Sequence, residues 1–249
     1  NGFIKLKKVF SPGAVLKLRA ELINKLKEEF KVDPDKEAHN RFLSLEMVWP
    51  HNSLLRAYVL SPRLGQISAG LLRVPAVRLY HDNVLAKQTG CGRTPWHFDD
   101  HHFPLDTNDV VTAWVPAQPI PLEMGPLSFA YPLDVHKLVN DVKFEKTGTG
   151  YDCGISNVFL KNNVSVNETP FELGEVSFHH NLNFHTASSN RTNRSRVALA
   201  NTYYRDGARV VNAPTMVSGD WQKFMPNVKP GDIAASPLNP ICWPVKDKP

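Results

Sequence analysis

Cysteine is scarce in this sequence. Its 249 residues include three, Cys91, Cys153 and Cys242, scattered and without a C-x-x-C pair. Neither a disulfide framework nor a thiolate zinc site is indicated, and a reducing, cytoplasmic setting is expected. No apolar run approaches the ~18 residues that would span a bilayer. The opening NGFIKLKKVFSPG lacks the apolar stretch of a signal peptide and an initiator Met, so the true N-terminus is expected to have been trimmed. No block of five or six basic residues occurs. Lys and Arg (29) exceed Asp and Glu (24) by a net +5, too mild a balance to argue for nucleic acid. It fits instead a small-molecule partner that is polar or anionic. No internal repeat is visible.

What is present is enough for a full core. Hydrophobic residues make up 42% and charged ones 21%, which excludes wholesale disorder and suits one large domain. Ser11-Pro12 is a helix start, a hydroxyl cap followed by proline in the first turn. Val15, Leu18, Leu22 and Leu26 then recur at helical spacing, predicting an amphipathic helix to about Phe30. After a polar loop over 31–41, helical segments are expected near 52–60 and 63–72, broken at Pro62. From residue 75 short β-prone runs take over: Val77–Leu85, Val110–Val115, Leu127–Tyr131, Glu175–His179 and Val197–Tyr204. Gly, Pro, Asn and Asp separate them, the texture of a sandwich or barrel. Seven of the 20 prolines fall between 212 and 249, predicting an irregular tail wrapped on the surface. The expected division is a helical buttress over 1–74, a β core over 75–205 and that tail over 206–249, all in one domain.

The densest group of ligand-type side chains is Trp96-His97-Phe98-Asp99-Asp100-His101-His102. In an extended strand His97 and Asp99 share a face. An imidazole and a carboxylate together supply two-thirds of the 2-His-1-carboxylate triad that binds Fe(II) and leaves positions open. A solvated His/Asp loop would read the same way. The third ligand would come from His179, His180 or His185. Eleven residues beyond His185 lies Arg196, whose planar pair of donors suits a carboxylate. A zinc hydrolase fits less well, because His-Phe-Asp-Asp-His-His lacks the early histidines of such clusters.

In order along the chain, the segments resemble the phytanoyl-CoA dioxygenase family of Fe(II)/2-oxoglutarate oxygenases. Asn1-Gly2-Phe3-Ile4 and Val9-Phe10-Ser11-Pro12 are similar to its opening strand and first helix cap. Pro95–Asp99 resembles its H-x-D strand, and Ala113-Trp114-Val115-Pro116 its tryptophan strand. Glu123–Leu127 with His136-Lys137 resembles its turn, although Met124-Gly125 replaces Asn-Gly and Tyr131–Asp134 replaces Pro-Gly-Ser. His185–Asn190 followed by Arg194-Ser195-Arg196 resembles its distal element.

The resemblance implies a double-stranded β-helix (a jelly roll) preceded by helices, with Fe(II) bound by His97, Asp99 and His185. It further implies 2-oxoglutarate and O2 as cosubstrates. Arg196 would hold the distal carboxylate of 2-oxoglutarate and Trp114 would line its pocket, with Lys87 and Asn83 as further candidates. The implied activity is hydroxylation of a small molecule. A catalytically silent jelly-roll binding module is the alternative, since a fold does not by itself establish a function. His101, His102, His179 and His180 are left without a role.

Overall fold

The computed structural model describes residues 1–37, 40–139, 141–142, 150–215 and 218–245. The first helix forms where its periodicity placed it, α1 at Pro12–Phe30. The Ser11 hydroxyl accepts from the Ala14 amide, and Lys31 ends the helix in the left-handed region. Two shorter helices follow, α2 (Ser53–Val59) and α3 (Pro62–Leu72); Pro62 opens the second rather than only breaking the first. A fourth helix, α4 (Gly150–Lys161), had no counterpart in the sequence reading. Its apolar residues Tyr151, Ile155 and Phe159 recur at helical spacing.

The strands are β1 (Phe3–Leu6), β2 (Phe42–Glu46), β3 (Val77–Lys87), β4 (Thr94–His97), β5 (Val110–Pro116) and β6 (Leu127–Tyr131). After them come β7 (Ser165–Glu168), β8 (Val176–His180), β9 (His185–Ala187), β10 (Arg196–Arg205) and β11 (Ile241–Trp243). One sheet has the order β1-β8-β5-β10-β3-β11, with β2 also paired to β3. The other is β4-β9-β6-β7. Every pairing is antiparallel, and the two sheets form a jelly roll with helices on the outside.

Alternation along the central strands explains why they are buried on both faces. On β10, Val197 and Leu199 join α1–α3 in the largest core cluster, whereas Ala198 and Ala200 join Trp114, Leu127 and Phe129 between the sheets. Strand β5 splits likewise, with Val111, Ala113 and Val115 toward the helices and Trp114 inward. The space between the sheets holds the site.

Two expectations about the chain ends change. Strands β1 and β2 lie within 1–74 yet belong to the large sheet. The tail is irregular but does not simply wrap the surface. Trp221, Phe224 and Met225 are buried in a cluster with Tyr80 and Tyr204, and β11 pairs with β3. Its many prolines limit regular structure without preventing burial.

Candidate metal and cosubstrate site

Asp99 reaches His97 by a turn, not by strand alternation. Strand β4 stops at His97, and Asp99 has helical backbone angles (φ −85°, ψ −18°) at the head of a short 3-10 turn, Asp100–His102. The amides of Asp99 and Asp100 both donate to the Asn181 carbonyl, at 2.8 and 3.1 Å, which fixes that turn. Asp100 is drawn aside, its carboxylate accepting from the Asn181 side-chain amide at 2.7 Å. The sequence alone could not show this, because H-x-D reads as extended whether or not the chain bends.

His185 begins β9 directly opposite His97, and the two rings lie 4.1 Å apart between centroids. Both rings are anchored alike: His97 Nδ1 lies 2.9 Å from the Pro95 carbonyl and His185 Nδ1 3.0 Å from the Asn183 carbonyl. A carbonyl can only accept, so each Nδ1 carries the proton and each Nε2 keeps its lone pair for a metal. The donor atoms of His97, Asp99 and His185 all lie within 4.8 Å of one another.

Burial pushes both imidazoles down to about 4, with neighbouring histidines adding to the effect, so they are neutral at pH 7. Burial alone would raise Asp99, but His185, His179 and His97 outweigh it and hold the carboxyl well below the usual carboxylate range. Two neutral imidazoles and one carboxylate fit a divalent iron.

His179, unassigned by the sequence, belongs beside this cluster. It is 2% exposed on the inner face of β8, with Nε2 3.5 Å from Asp99 Oδ2. The Thr112 hydroxyl is 3.3 Å from the same oxygen. His185 Nε2 instead faces Oδ1, at 3.7 Å. One carboxylate oxygen thus faces His179 and Thr112, and the other faces the metal position. The strand period of β8, with Ser177 also inward, was the available signal.

The triad opens on a cavity of about 500 Å³. Toward one end lies Arg196, 2% exposed. Its Nη1 donates to the Gly125 carbonyl at 2.9 Å, its guanidinium lies 5.3 Å from the Trp114 ring centre, and Nε has no partner. No carboxylate pairs with it among the described residues. Burial lowers it to about 10, which leaves it charged. An unpaired buried cation costs several kcal/mol, so such a group signals an anionic ligand. Gly125, whose carbonyl takes the Arg196 bond, has φ +75°, and a Cβ there would run into the Ser188 carbonyl, so the turn requires glycine.

Trp114 lines the same end, its buried Nε1 also unpartnered. Asn83 lines the cavity and accepts from the Ser44 hydroxyl at 2.9 Å. Lys87, paired with Arg196 in register, is not in the cavity wall. Its amine donates to the Ala187 and Ser188 carbonyls at 3.1 and 2.9 Å, and burial, with Arg196 nearby, lowers it to about 7. It ties the end of β9 to β3, which corrects its expected place in the cosubstrate pocket.

A jelly roll with two histidines and one carboxylate at its mouth, and a lone buried arginine behind them, defines a class: non-haem iron oxygenases that use 2-oxoglutarate. The phytanoyl-CoA dioxygenase family model matches residues 1–198. The chain belongs to that family. No curated protein matches it. Among solved structures, it is similar to the α-ketoglutarate-dependent carbocyclase SnoK from nogalamycin biosynthesis (TM-score 0.75, 22% identity, covering 96% of this chain and 91% of that one). The epimerase SnoN, in complex with Fe3+, α-ketoglutarate and nogalamycin RO, gives 0.75 at 19% identity, covering 97% and 94%. EctD from S. alaskensis with 2-oxoglutarate and 5-hydroxyectoine gives 0.67 at 15% identity, covering 96% and 85%. At such identities the likeness is one of fold.

Proposed function

We propose that this chain is an Fe(II)- and 2-oxoglutarate-dependent dioxygenase that hydroxylates a small molecule. The observation that carries the reading is Arg196: a buried guanidinium with no carboxylate partner among the described residues, at the end of a cavity that also holds three convergent metal donors. His97, Asp99 and His185 would hold the iron. Arg196 would pair with the distal carboxylate of 2-oxoglutarate, and Trp114 would wall the five-carbon diacid against the sheet. Bound iron supplies the oxidation of a C–H bond by O2, with 2-oxoglutarate leaving as succinate and CO2.

The chain's own part is to fix geometry. The Pro95 and Asn183 carbonyls hold the imidazole tautomers, His179 and Thr112 hold one oxygen of Asp99, and the apolar wall around Trp114 keeps water from the reacting centre. The carboxylate at position 99 favours hydroxylation over chloride transfer, which requires a small residue there to open a place for the halide. A silent binding module has no need of an intact donor triad beside a buried unpaired arginine. The three free thiols are in keeping with a cytoplasmic setting.

The test is succinate release from 2-oxoglutarate under Fe(II) and O2 across a substrate panel, with the product examined for oxygen derived from O2. Release in the wild type and none in Asp99→Ala is expected. A chlorinated product from the wild type, or no iron-dependent succinate under any condition, would overturn the reading.

A further inference from the structure

The inner face of the large sheet carries a polar row that runs away from the metal position. His179 on β8 pairs with Thr112 on β5, Thr112 with Thr202 on β10, and Thr202 with His81 on β3. All four line the cavity, and the two threonine hydroxyls are 3.0 Å apart. Thr202 is six residues from Arg196 along β10, roughly 20 Å at ~3.3 Å per residue. The row therefore ends far from the cosubstrate's arginine.

At its far end the ladder between β10 and β3 slips. Thr202 faces His81 but Tyr203 faces Leu79, so Tyr80 is an extra residue in β3. Such a bulge re-aims side chains, and here both Tyr80 and His81 line the cavity. Two phenylalanines from outside the strands complete this end, Phe103 after the Asp100–His102 turn and Phe224 from the tail. Phe224 stacks on His81 with centroids 4.8 Å apart and planes 26° apart, and Phe103 meets Tyr80 edge-on at 4.8 Å. Tyr80 is 1% exposed, and neither its hydroxyl nor His81 Nδ1 has a hydrogen-bond partner among the described residues.

Carboxylates outnumber cations at this end. Lys223 is held by Glu46 at 2.6 Å, Asp220 adds a further carboxylate to the wall, and burial keeps His81 neutral. No unpaired lysine or arginine lines it among the described residues.

Resting on the oxygenase reading, we propose that this end of the cavity is the primary-substrate subsite and takes a flat, ring-bearing molecule that is neutral or cationic. The ring lies against Phe103 and Phe224, and its polar edge meets Thr202 and His81. This also turns the mild positive charge of the whole chain into a poor guide to the substrate, because the basic residues are elsewhere. A negatively charged substrate would face Asp220 and Glu46, with Lys223 already taken by Glu46.

The experiment is anaerobic calorimetry on iron-loaded protein saturated with 2-oxoglutarate, which occupies Arg196. The probes are 2-phenylethylamine, 2-phenylethanol, 3-phenylpropionate and, as the ringless control, hexylamine. The amine and the alcohol should bind, and the carboxylate and hexylamine should bind weaker by about tenfold, the scale of one buried aromatic or charge contact. Phe224→Ala should weaken the ring probes by a similar factor, with Phe224→Tyr restoring them. Glu46→Gln, at a partly exposed site, should free Lys223 and narrow the gap between carboxylate and amine by about threefold or more. Tightest binding by 3-phenylpropionate, equal binding by hexylamine, no binding by any ring probe, or indifference to Phe224→Ala would each overturn the proposal. Separately titrated 2-oxoglutarate keeps the two readings apart. Iron-dependent cosubstrate binding without ring selectivity sinks only the subsite, whereas ring binding without it sinks the oxygenase reading.

Discussion

At the Arg196 end of the cavity the walls are strands: Arg196 on β10, Trp114 on β5, Leu127 on β6, Ala187 on β9 and Leu85 on β3. At the His81 end much of the wall comes from a turn after β4 and from the tail, and the one strand residue that matters most sits beside a bulge. The inner end holds a buried cation that no carboxylate pairs with among the described residues, while at the outer end Lys223 is paired with Glu46 and Asp220 adds a further carboxylate. Rigid strands suit a chemistry in which iron and cosubstrate must be placed closely and unchangingly. Turns and tails can vary without disturbing that placement, so they suit the part that selects the substrate. On this account the two ends should respond to mutation independently.

The largest effect should come from the donors. Asp99→Ala and His185→Ala should weaken Fe(II) binding beyond the ~10–100-fold typical of outer partners, whereas His179→Leu should fall within that range. Metal analysis after dialysis checks this, and iron that survives loss of His185 but not of His179 would exchange their roles. Next comes Arg196→Ala. A sheltered bidentate contact contributes roughly 1.5–3 kcal/mol, so KM for 2-oxoglutarate should rise at least about tenfold with iron content kept. Arg196→Lys should recover only part, since an ammonium lacks the planar fork.

Stability reads the same contrast from the side of acid. His97 and His185 lie near 4 in the folded chain against about 6.5 when unfolded. A depressed value favours the folded state above pH 6.5, and that contribution is lost as pH falls toward 4. Thermal melts of metal-free protein should show Tm dropping across this window. The same drop in a His97→Gln, His185→Gln double variant would place its origin elsewhere.

Much of the inner end was legible in the sequence through its ordered resemblance to a family, with strand alternation adding only the pairing of His97 with Asp99. Trp114 falls in the β-prone run Val110–Val115 and Arg196 stands just before the one at Val197–Tyr204, but their roles, and the choice of His185 over His179 and His180, came from the resemblance to the family. His97 and Asp99 were chosen correctly as neighbours in space but for a reason the backbone does not use, since a turn places Asp99. Lys87 was a candidate only through the resemblance, and in the fold its amine is taken by two carbonyls. The outer end was nearly invisible. The Tyr80 bulge leaves no composition signal, and Phe224 lies in a proline-rich tail whose sequence suggests only a surface wrap. Contacts between distant irregular segments carry no local periodicity to read.

The independence of the two ends is tested most directly by anaerobic calorimetry of 2-oxoglutarate into wild type, Arg196→Ala and Phe224→Ala, each with and without Fe(II). The account predicts one iron-dependent site in the wild type, a nearly unchanged site in Phe224→Ala, and an affinity at least about tenfold weaker in Arg196→Ala. Cosubstrate binding that ignores iron, that survives Arg196→Ala, or that is lost equally in Phe224→Ala would contradict it.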